Sequence, residues 1–426
     1  MIKILDSTKN NFNFLLDRLL LKRKNKIFFN SEGVIKIIKD VKKNGDKAIL
    51  KYEKKFSNNS IIIPHPTNIK KAILKLDSKV KNSIDLAYSR IYKFHSMQKF
   101  KDISYTDNLK NKLEYKYKPI DSVGIYVPGS DVSYPSSVLM NAIPALIAGV
   151  KRIVMINPGK NGNQNPAVLY AAKKCKISEI YSIGGPAAIS AITYGTKKVK
   201  KVSKIVGPGS ALVASAKKEV FGDIGIESMV AGPSELTIVC DKFSNPEWIA
   251  SDLVGQAEHD ELVQCILISK NKDFINKVQS FIEYQLKELP RAAIAKKSLS
   301  LHGIFIHMTS EKKIIDTINK ISPEHLELNI KNYKKIVNKV SAGSISLGKY
   351  AVTAMTDYHV GVNHTLPTNS SAKYASGLSV NDFIKRISVV TLSKKGIEKL
   401  GPSVICLSDF EELYGHSKSV KLRINN

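Results

Sequence analysis

The stretch VGIYVPG, Val123–Gly129, reads as a strand buried on both faces that stops at a Pro-Gly turn. It shows none of the polar alternation of a half-exposed strand, so helices are expected to cover both sides of its sheet. The pattern then repeats outward. Ser136–Ala148 reads as a helix, Arg152–Ile156 (RIVMI) as a strand and Asn157–Gly159 as a turn. Pro166–Lys174 is a helix with proline at its permitted first position. Glu179–Ile183, a Gly184-Gly185 turn with a helix through Tyr194, Lys204–Val206 and Ala211–Phe221 complete the run. A second run follows, with strands at Leu236–Cys240, Cys265–Ser269, Gly303–Met308 and Ala342–Leu347. Helices are read at Ser251–Gln264 and Glu311–Ile321. The fold class is therefore α/β, with two doubly wound Rossmann-like domains and small N-terminal helical and C-terminal extensions. The site is expected in the crevices at the carboxyl ends of the strands.

Residues 11–24 read as a short basic amphipathic helix, and helical periodicity returns over 30–56 and 68–100, broken at Asn44-Gly45. Leu113–Lys118 alternates as a strand. After Leu378 the elements become short and mixed: Val380–Ile387, Gly396–Leu400 and a terminal helix near Phe410–Gly415.

Composition excludes several classes. With 426 residues, 43% hydrophobic and 24% charged, the chain is globular and long enough for more than one core. The net charge of +29 comes from lysines spread over the whole length, without an aromatic RNA-binding motif or zinc-finger spacing, so no specific nucleic-acid partner is expected. Cys175, Cys240, Cys265 and Cys406 form no CxxC pattern and suit a reducing compartment. Asp6, Asp17 and Arg18 interrupt any signal-peptide core, and the apolar run Val138–Val150 is too short for a bilayer. The expected localisation is cytoplasmic, with no membrane partner.

Two motifs are decoys. Gly343–Lys349 (GSISLGK) resembles a phosphate-binding loop, but Tyr350 stands where a Ser or Thr must ligate Mg²⁺. Gly207-Pro208-Gly209 before a helix is the nearest approach to a dinucleotide fingerprint, and it reads first as a tight turn.

Five segments place reactive side chains where packing alone would not ask for them. They are Ala231–Glu235 (AGPSE, with Ser234), Gln256–His259, Ser322–Leu328 (SPEHLEL), Thr356–Thr368 (TDYHVGVNHTLPT) and Glu411–His416. Gln256 and His259, three apart, project from one face of the expected helix. Two imidazoles, a carboxylate and an amide oxygen suit Zn²⁺, leaving Glu324 and His325 for proton transfer. Taken singly, each segment also has a plain structural meaning. On residues alone, a zinc hydrolase and a basic nucleic-acid binder remain open.

The motifs together are more specific. GIYVPG (124–129), IVGPGSALVASAKKEVFG (205–222), AGPSE (231–235), SDLVGQAEHDE (251–261), SPEHLEL (322–328), NHTLPT (363–368) and GLSVNDFIKR (377–386), with the ending at Glu411–His416, resemble the histidinol dehydrogenase family over nearly the whole chain. The resemblance implies an NAD-dependent, zinc-containing homodimer that oxidises L-histidinol twice, through L-histidinaldehyde, to L-histidine. It implies zinc held by Gln256, His259, Asp357 and His416, the last crossing to the partner subunit. Substrate contacts carry over to Ser234, Gln256, His259, His325, Asp357, Glu411 and His416, and the acid–base pair to Glu324 and His325. Cofactor contacts fall on Tyr126, Ala187 and Ser210; Ala187 replaces the family's Gln and Ser210 its Asn, which leaves open a degenerate relative with weakened NAD binding. The domains implied are an arm at 1–22, a zinc and substrate domain at 23–122 with 237–377, a nucleotide domain at 123–236, and a C-terminal domain at 378–426 that serves the partner's site.

Overall fold

The computed structural model describes residues 2–27, 31–129, 133–159, 162–227, 232–350 and 352–425, with the backbone alone at 24–27 and 31. The chain begins with β1 (Lys3–Asp6), α1 (Phe12–Ile27), α2 (Ser31–Asn44), α3 (Asp46–Ser57), α4 (Pro66–Leu74) and α5 (Ser78–Ser96). Strands β2 (Ile103–Thr106) and β3 (Lys112–Pro119) precede β4 (Ser122–Tyr126), α6 (Pro135–Ala148) and β5 (Arg152–Ile156). Next come α7 (Pro166–Lys174), β6 (Glu179–Tyr181), α8 (Gly185–Tyr194), β7 (Lys204–Val206), α9 (Ala211–Glu219) and β8 (Gly225–Ile226). The second run holds β9 (Glu235–Cys240), α10 (Pro246–Ala257), β10 (Gln264–Ser269), α11 (Lys272–Gln285), α12 (Ala292–His302) and β11 (Ile304–His307). It ends with α13 (Glu311–Ile321), β12 (His325–Asn329), β13 (Ser344–Leu347) and α14 (Thr353–Tyr358). Last are β14 (Ile384–Thr391), α15 (Lys394–Phe410) and α16 (Tyr414–Ile424).

Two parallel sheets carry the fold. The five-stranded sheet runs β6-β5-β4-β7-β8 and the six-stranded sheet β1-β11-β10-β9-β12-β13. Counted from its first strand, each runs third-second-first-fourth-fifth, the doubly wound order, with β1 added at the edge of the larger sheet. Alternation explains the double burial. Leu236, Ile238, Cys265 and Leu267 pack with α10, α11 and α12 on one face, while Val239, Ile266, Ile268 and Leu326 pack with α1 and α13 on the other. The α/β reading of the sequence therefore holds.

Contacts divide the chain into two compact units, Met1–Gln98 with Asp121–Asp382, and Lys99–Ile120 with Phe383–Asn426. Both parallel sheets belong to the first. The second contains the antiparallel sheet β14-β3-β2, so the strands at 103–119, grouped in sequence with the 23–122 segment, pair with the C-terminal region. The N-terminal arm likewise starts as a strand of the six-stranded sheet.

Helix boundaries differ in two places. The helix expected over Ser251–Gln264 starts at Pro246, where the Asn245 side chain accepts the N–H groups of Glu247 and Trp248, and stops at Ala257. There Asp260 Oδ1 accepts the Leu262 N–H at 2.8 Å and folds 258–263 into a turn. The short element read over Gly396–Leu400 is part of one long helix, α15, capped by Ser393, and Phe410–Gly415 spans the turn into α16 rather than a helix.

Gly207 follows β7 with φ of 110°, and a Cβ there would stand 2.3 Å from the Tyr126 carbonyl oxygen. Gly207→Ala is expected to lower the unfolding free energy by at least about 1–3 kcal/mol; an unchanged urea midpoint would contradict this close approach. His95, buried in α5, has Nδ1 2.9 Å from the Ile91 carbonyl oxygen and Nε2 3.5 Å from Asn363 Nδ2. Burial holds its pKa below the usual 6.5. The unfolded chain therefore binds the proton more readily, and the stability His95 contributes is full above pH 6.5 and lost as pH falls. Urea titrations of His95→Gln should show a smaller drop in stability from pH 7 to pH 5 than the parent chain; equal drops would refute the assignment.

Candidate active site

The reactive residues of the six-stranded sheet collect at the amino ends of its strands, not at the carboxyl ends expected from the doubly wound pattern. Ser234 immediately precedes β9, His259 lies in the turn before β10, and Glu324-His325 open β12. Helices return antiparallel to the strands they follow, so α10 and α13 deliver their carboxyl termini to this edge. Their last carbonyls carry partial negative charge, an environment that favours a cation.

Glu324 and His325 are buried, about 6% and 5% exposed. Burial first, then repulsion from the nearby Glu235 and Asp357 charges, pushes the Glu324 carboxyl well above its ordinary range. Its Oε2 accepts the Glu235 N–H at 2.8 Å, and its Oε1 lies 4.0 Å from His325 Nε2. His325 is pushed down to about 3, mainly by burial and then by His364 and His259, so its imidazole is neutral at physiological pH. His325 Nε2 also stands 3.8 Å from Asp357 Oδ1.

Asp357, on α14, is pushed up to about 7 by burial, and its Oδ1 has no hydrogen-bond partner in the structure. His364 Nδ1 lies 2.9 Å from the Asp357 backbone oxygen, and burial holds that imidazole down to about 4. Gln256 is buried on the last turn of α10, and its backbone oxygen accepts the His259 N–H at 3.3 Å. Part of the His259 side chain reaches solvent. Its surroundings nevertheless lower the pKa, by burial and by the Arg291 charge.

Among the described residues, no three of His, Cys, Asp and Glu already stand as a metal-ligand cluster. The donor set nonetheless fits a borderline-hard cation: a buried carboxylate oxygen without a partner, an imidazole whose pKa is lowered and an amide side chain, all beside helix carboxyl termini. Glu411 and His416 belong to the second unit, in the turn after α15 and the first turn of α16, and both are exposed. Ala231 of the AGPSE motif lies outside the described residues.

The five-stranded sheet keeps the usual polarity. Tyr126 ends β4, Gly184-Gly185 open α8 after β6, and Ser210 caps α9 after β7, all at carboxyl ends. The Tyr126 hydroxyl accepts the Gly185 N–H at 3.1 Å. Burial first, with the nearby Glu53 charge, pushes that phenol up to about 12. Ala187 is 2% exposed and belongs to a buried apolar cluster, so it presents no polar group there; Ser210 is exposed and its side chain makes no cap hydrogen bond.

Sequence reasoning missed His364, although the NHTLPT motif contained it; what marks it is burial beside Asp357, which no spacing encodes. It also missed a buried ion pair, Arg23 with Glu235. A lone arginine in a basic helix carries no signal of its partner. The loop decoy at 343–349 holds the strand β13 and its turn, and the short helix α14 begins soon after at Thr353, so it is Tyr350, not the lack of a helix, that sets the segment apart from a phosphate-binding loop.

Comparison with known proteins gives the family. The family model described as histidinol dehydrogenase matches residues 22–424. The histidinol dehydrogenase of Pelagibacter ubique is 73% identical over 425 residues, covering 100% of this chain and 99% of that one. Histidinol dehydrogenase 1 of Trichormus variabilis is 43% identical, covering 99% and 98%. The crystal structure of histidinol dehydrogenase from Elizabethkingia anophelis superposes with a TM-score of 0.90 at 35% identity, covering 100% of this chain and 98% of that chain. With the family model spanning nearly every residue and the same fold in a solved relative, the chain belongs to the histidinol dehydrogenase family.

Proposed function

We infer that the protein oxidises L-histidinol through L-histidinaldehyde to L-histidine, the last steps of histidine biosynthesis. The observation that carries this reading is His325, a buried neutral imidazole facing both Glu324 and Asp357. A neutral imidazole can accept the carbinol proton in the first oxidation. A carboxyl held above its ordinary range is suited to general-base work near neutral pH, so Glu324 takes the proton of the water that hydrates the aldehyde before the second. Ser234 and Glu411 bind polar groups of the substrate, Glu411 by pairing with its ammonium. Gln256, His259, Asp357 and His416 of the partner subunit would hold Zn²⁺, which would supply an anchor for the imidazole and amine of histidinol, and Tyr126 with positions 187 and 210 would hold NAD⁺, which would supply the hydride acceptor.

The homodimer is part of this proposal. In α15 and α16 the single chain exposes Val404, Leu407, Phe410, Leu413 and Tyr414, with Phe410 87% exposed, a patch that suits a partner surface. The five-stranded sheet then serves the nucleotide, the six-stranded sheet the zinc and substrate, and the second unit the partner's site. No helix of the described residues is long and apolar enough to cross a membrane; a cytoplasmic location is proposed with the pathway. Nothing in this scheme requires a nucleic-acid partner.

The purified protein should form two NADH per histidine from L-histidinol and lose that activity with a chelator; chelator-resistant turnover would remove zinc from the scheme. Glu324→Gln and His325→Gln are each expected to cut turnover by about 10²- to 10⁴-fold. Co-refolding an inactive Gln256→Ala chain with an inactive His416→Ala chain should restore activity in the mixed dimer, and no recovery would show that the site is not shared. At the cofactor side, Ser210→Asn should lower the Michaelis constant for NAD⁺ by about 2- to 12-fold, the equivalent of one added hydrogen bond. An unchanged constant would make position 210 silent.

A further inference from the structure

Arg23 lies on α1, far in sequence from every motif, yet it is 2% exposed and each of its guanidinium nitrogens has a partner. Nε donates to the Leu262 backbone oxygen at 2.8 Å, and Nη2 to the backbone oxygens of Pro233 at 2.6 Å and Ser234 at 3.3 Å. Nη1 pairs with the Glu235 carboxylate. One side chain therefore ties together the turn that carries His259 and the turn that carries Ser234. The same Glu235 Oε1 accepts the Asn369 N–H at 2.9 Å, which ties in the end of the loop that carries His364.

Glu235 touches the acid–base pair through its backbone. Its N–H holds Glu324 Oε2, leaving Oε1 on the side of His325. Holding one oxygen of a carboxylate and leaving the other free gives a base a single direction. His325 owes its place to the sheet, since it is in register between Leu236 of β9 and Ser344 of β13. The two members of the pair are thus oriented by different parts of the fold.

We propose that Arg23 and Glu235 are positioning residues for Glu324, and that they govern the second oxidation more than the first. The proposal rests on the roles given to Glu324 and His325 above. In the step concerned, the water oxygen bonds to the aldehyde carbon and one water proton passes to Glu324. The carbonyl π pair moves to its oxygen, which takes the proton back from Glu324, completing the hydrate that is then oxidised and returning Glu324 to its carboxylate form. A loosened Glu324 slows this addition, whereas proton transfer at His325 keeps its geometry.

The half-reactions can be read separately, using L-histidinaldehyde as the probe. Its oxidation with NAD⁺ reports the second step, and its reduction with NADH reports the first in reverse. In zinc-loaded Arg23→Lys, which keeps the charge but loses the fork, oxidation should fall on the order of tenfold to 100-fold while reduction changes little. Glu235→Gln keeps the N–H donor and the side-chain volume and should show a weaker form of the same split; it also carries the test if Arg23→Lys does not fold. During histidinol turnover by either variant, free aldehyde should become trappable. In a Glu324→Gln background, Arg23→Lys should slow oxidation no further. Equal loss of both half-reactions in a folded variant, or an additive loss in the Glu324→Gln background, would overturn the proposal. A parent enzyme inert toward the aldehyde in both directions would instead overturn the functional reading beneath it.

Discussion

Desolvation at the amino edge of the six-stranded sheet is the constraint on which the site depends. Glu324, His325, Asp357 and His364 are all removed far enough from water that burial is the largest influence on each. Burial disfavours charge, so the imidazoles are held neutral and the carboxyls are held toward their protonated forms. That arrangement costs stability, and it leaves the imidazoles in the neutral form, which can accept a proton or donate a lone pair to a cation. The orphaned Asp357 Oδ1 is the clearest instance. A packed core gains nothing from such an atom, whereas a ligand shell does.

Topology decides where this edge is. In a parallel sheet with returning helices, carboxyl ends of strands meet helix amino termini, and amino ends of strands meet helix carboxyl termini. The five-stranded sheet presents the first kind of edge around Tyr126, Gly184-Gly185 and Ser210, suited to the phosphates of a nucleotide. The six-stranded sheet presents the second, suited to a cation. Two sheets of the same strand order thus offer complementary electrostatics at opposite ends.

Much of the fold was legible because it rests on local signals. Buried strands such as Val123–Val127 and the helix opened by Pro166 depend on hydrophobic runs and caps within a few residues. The reactive residues were legible as clusters of motif. Their arrangement was not, because the edge of a sheet at which a loop lies follows from chain direction, which His259 or Glu324 does not encode. The same holds for β1, which is too short for its pattern to announce a strand and is defined by pairing with Ile304–His307. Long-range partners were the least legible of all: His364 beside Asp357, and Arg23 with Glu235 across 212 positions.

That last pair shows what a buried charge is for in this fold. Replacing a buried ion pair by apolar groups is often neutral or stabilising, so Arg23 and Glu235 are poorly explained as a device for stability. Breaking such a pair by removing one member costs about 3–5 kcal/mol, because the remaining charge is stranded. The pair therefore confers specificity of arrangement, with one allowed position for each loop that meets it. An apolar plug could fill the same volume, but it could not accept the Asn369 N–H or hold the carbonyls of Pro233, Ser234 and Leu262 in one plane of donors. The start of the chain is thereby bound to the turns bearing Ser234 and His259 and, through Glu235 and Asn369, to the end of the loop bearing His364.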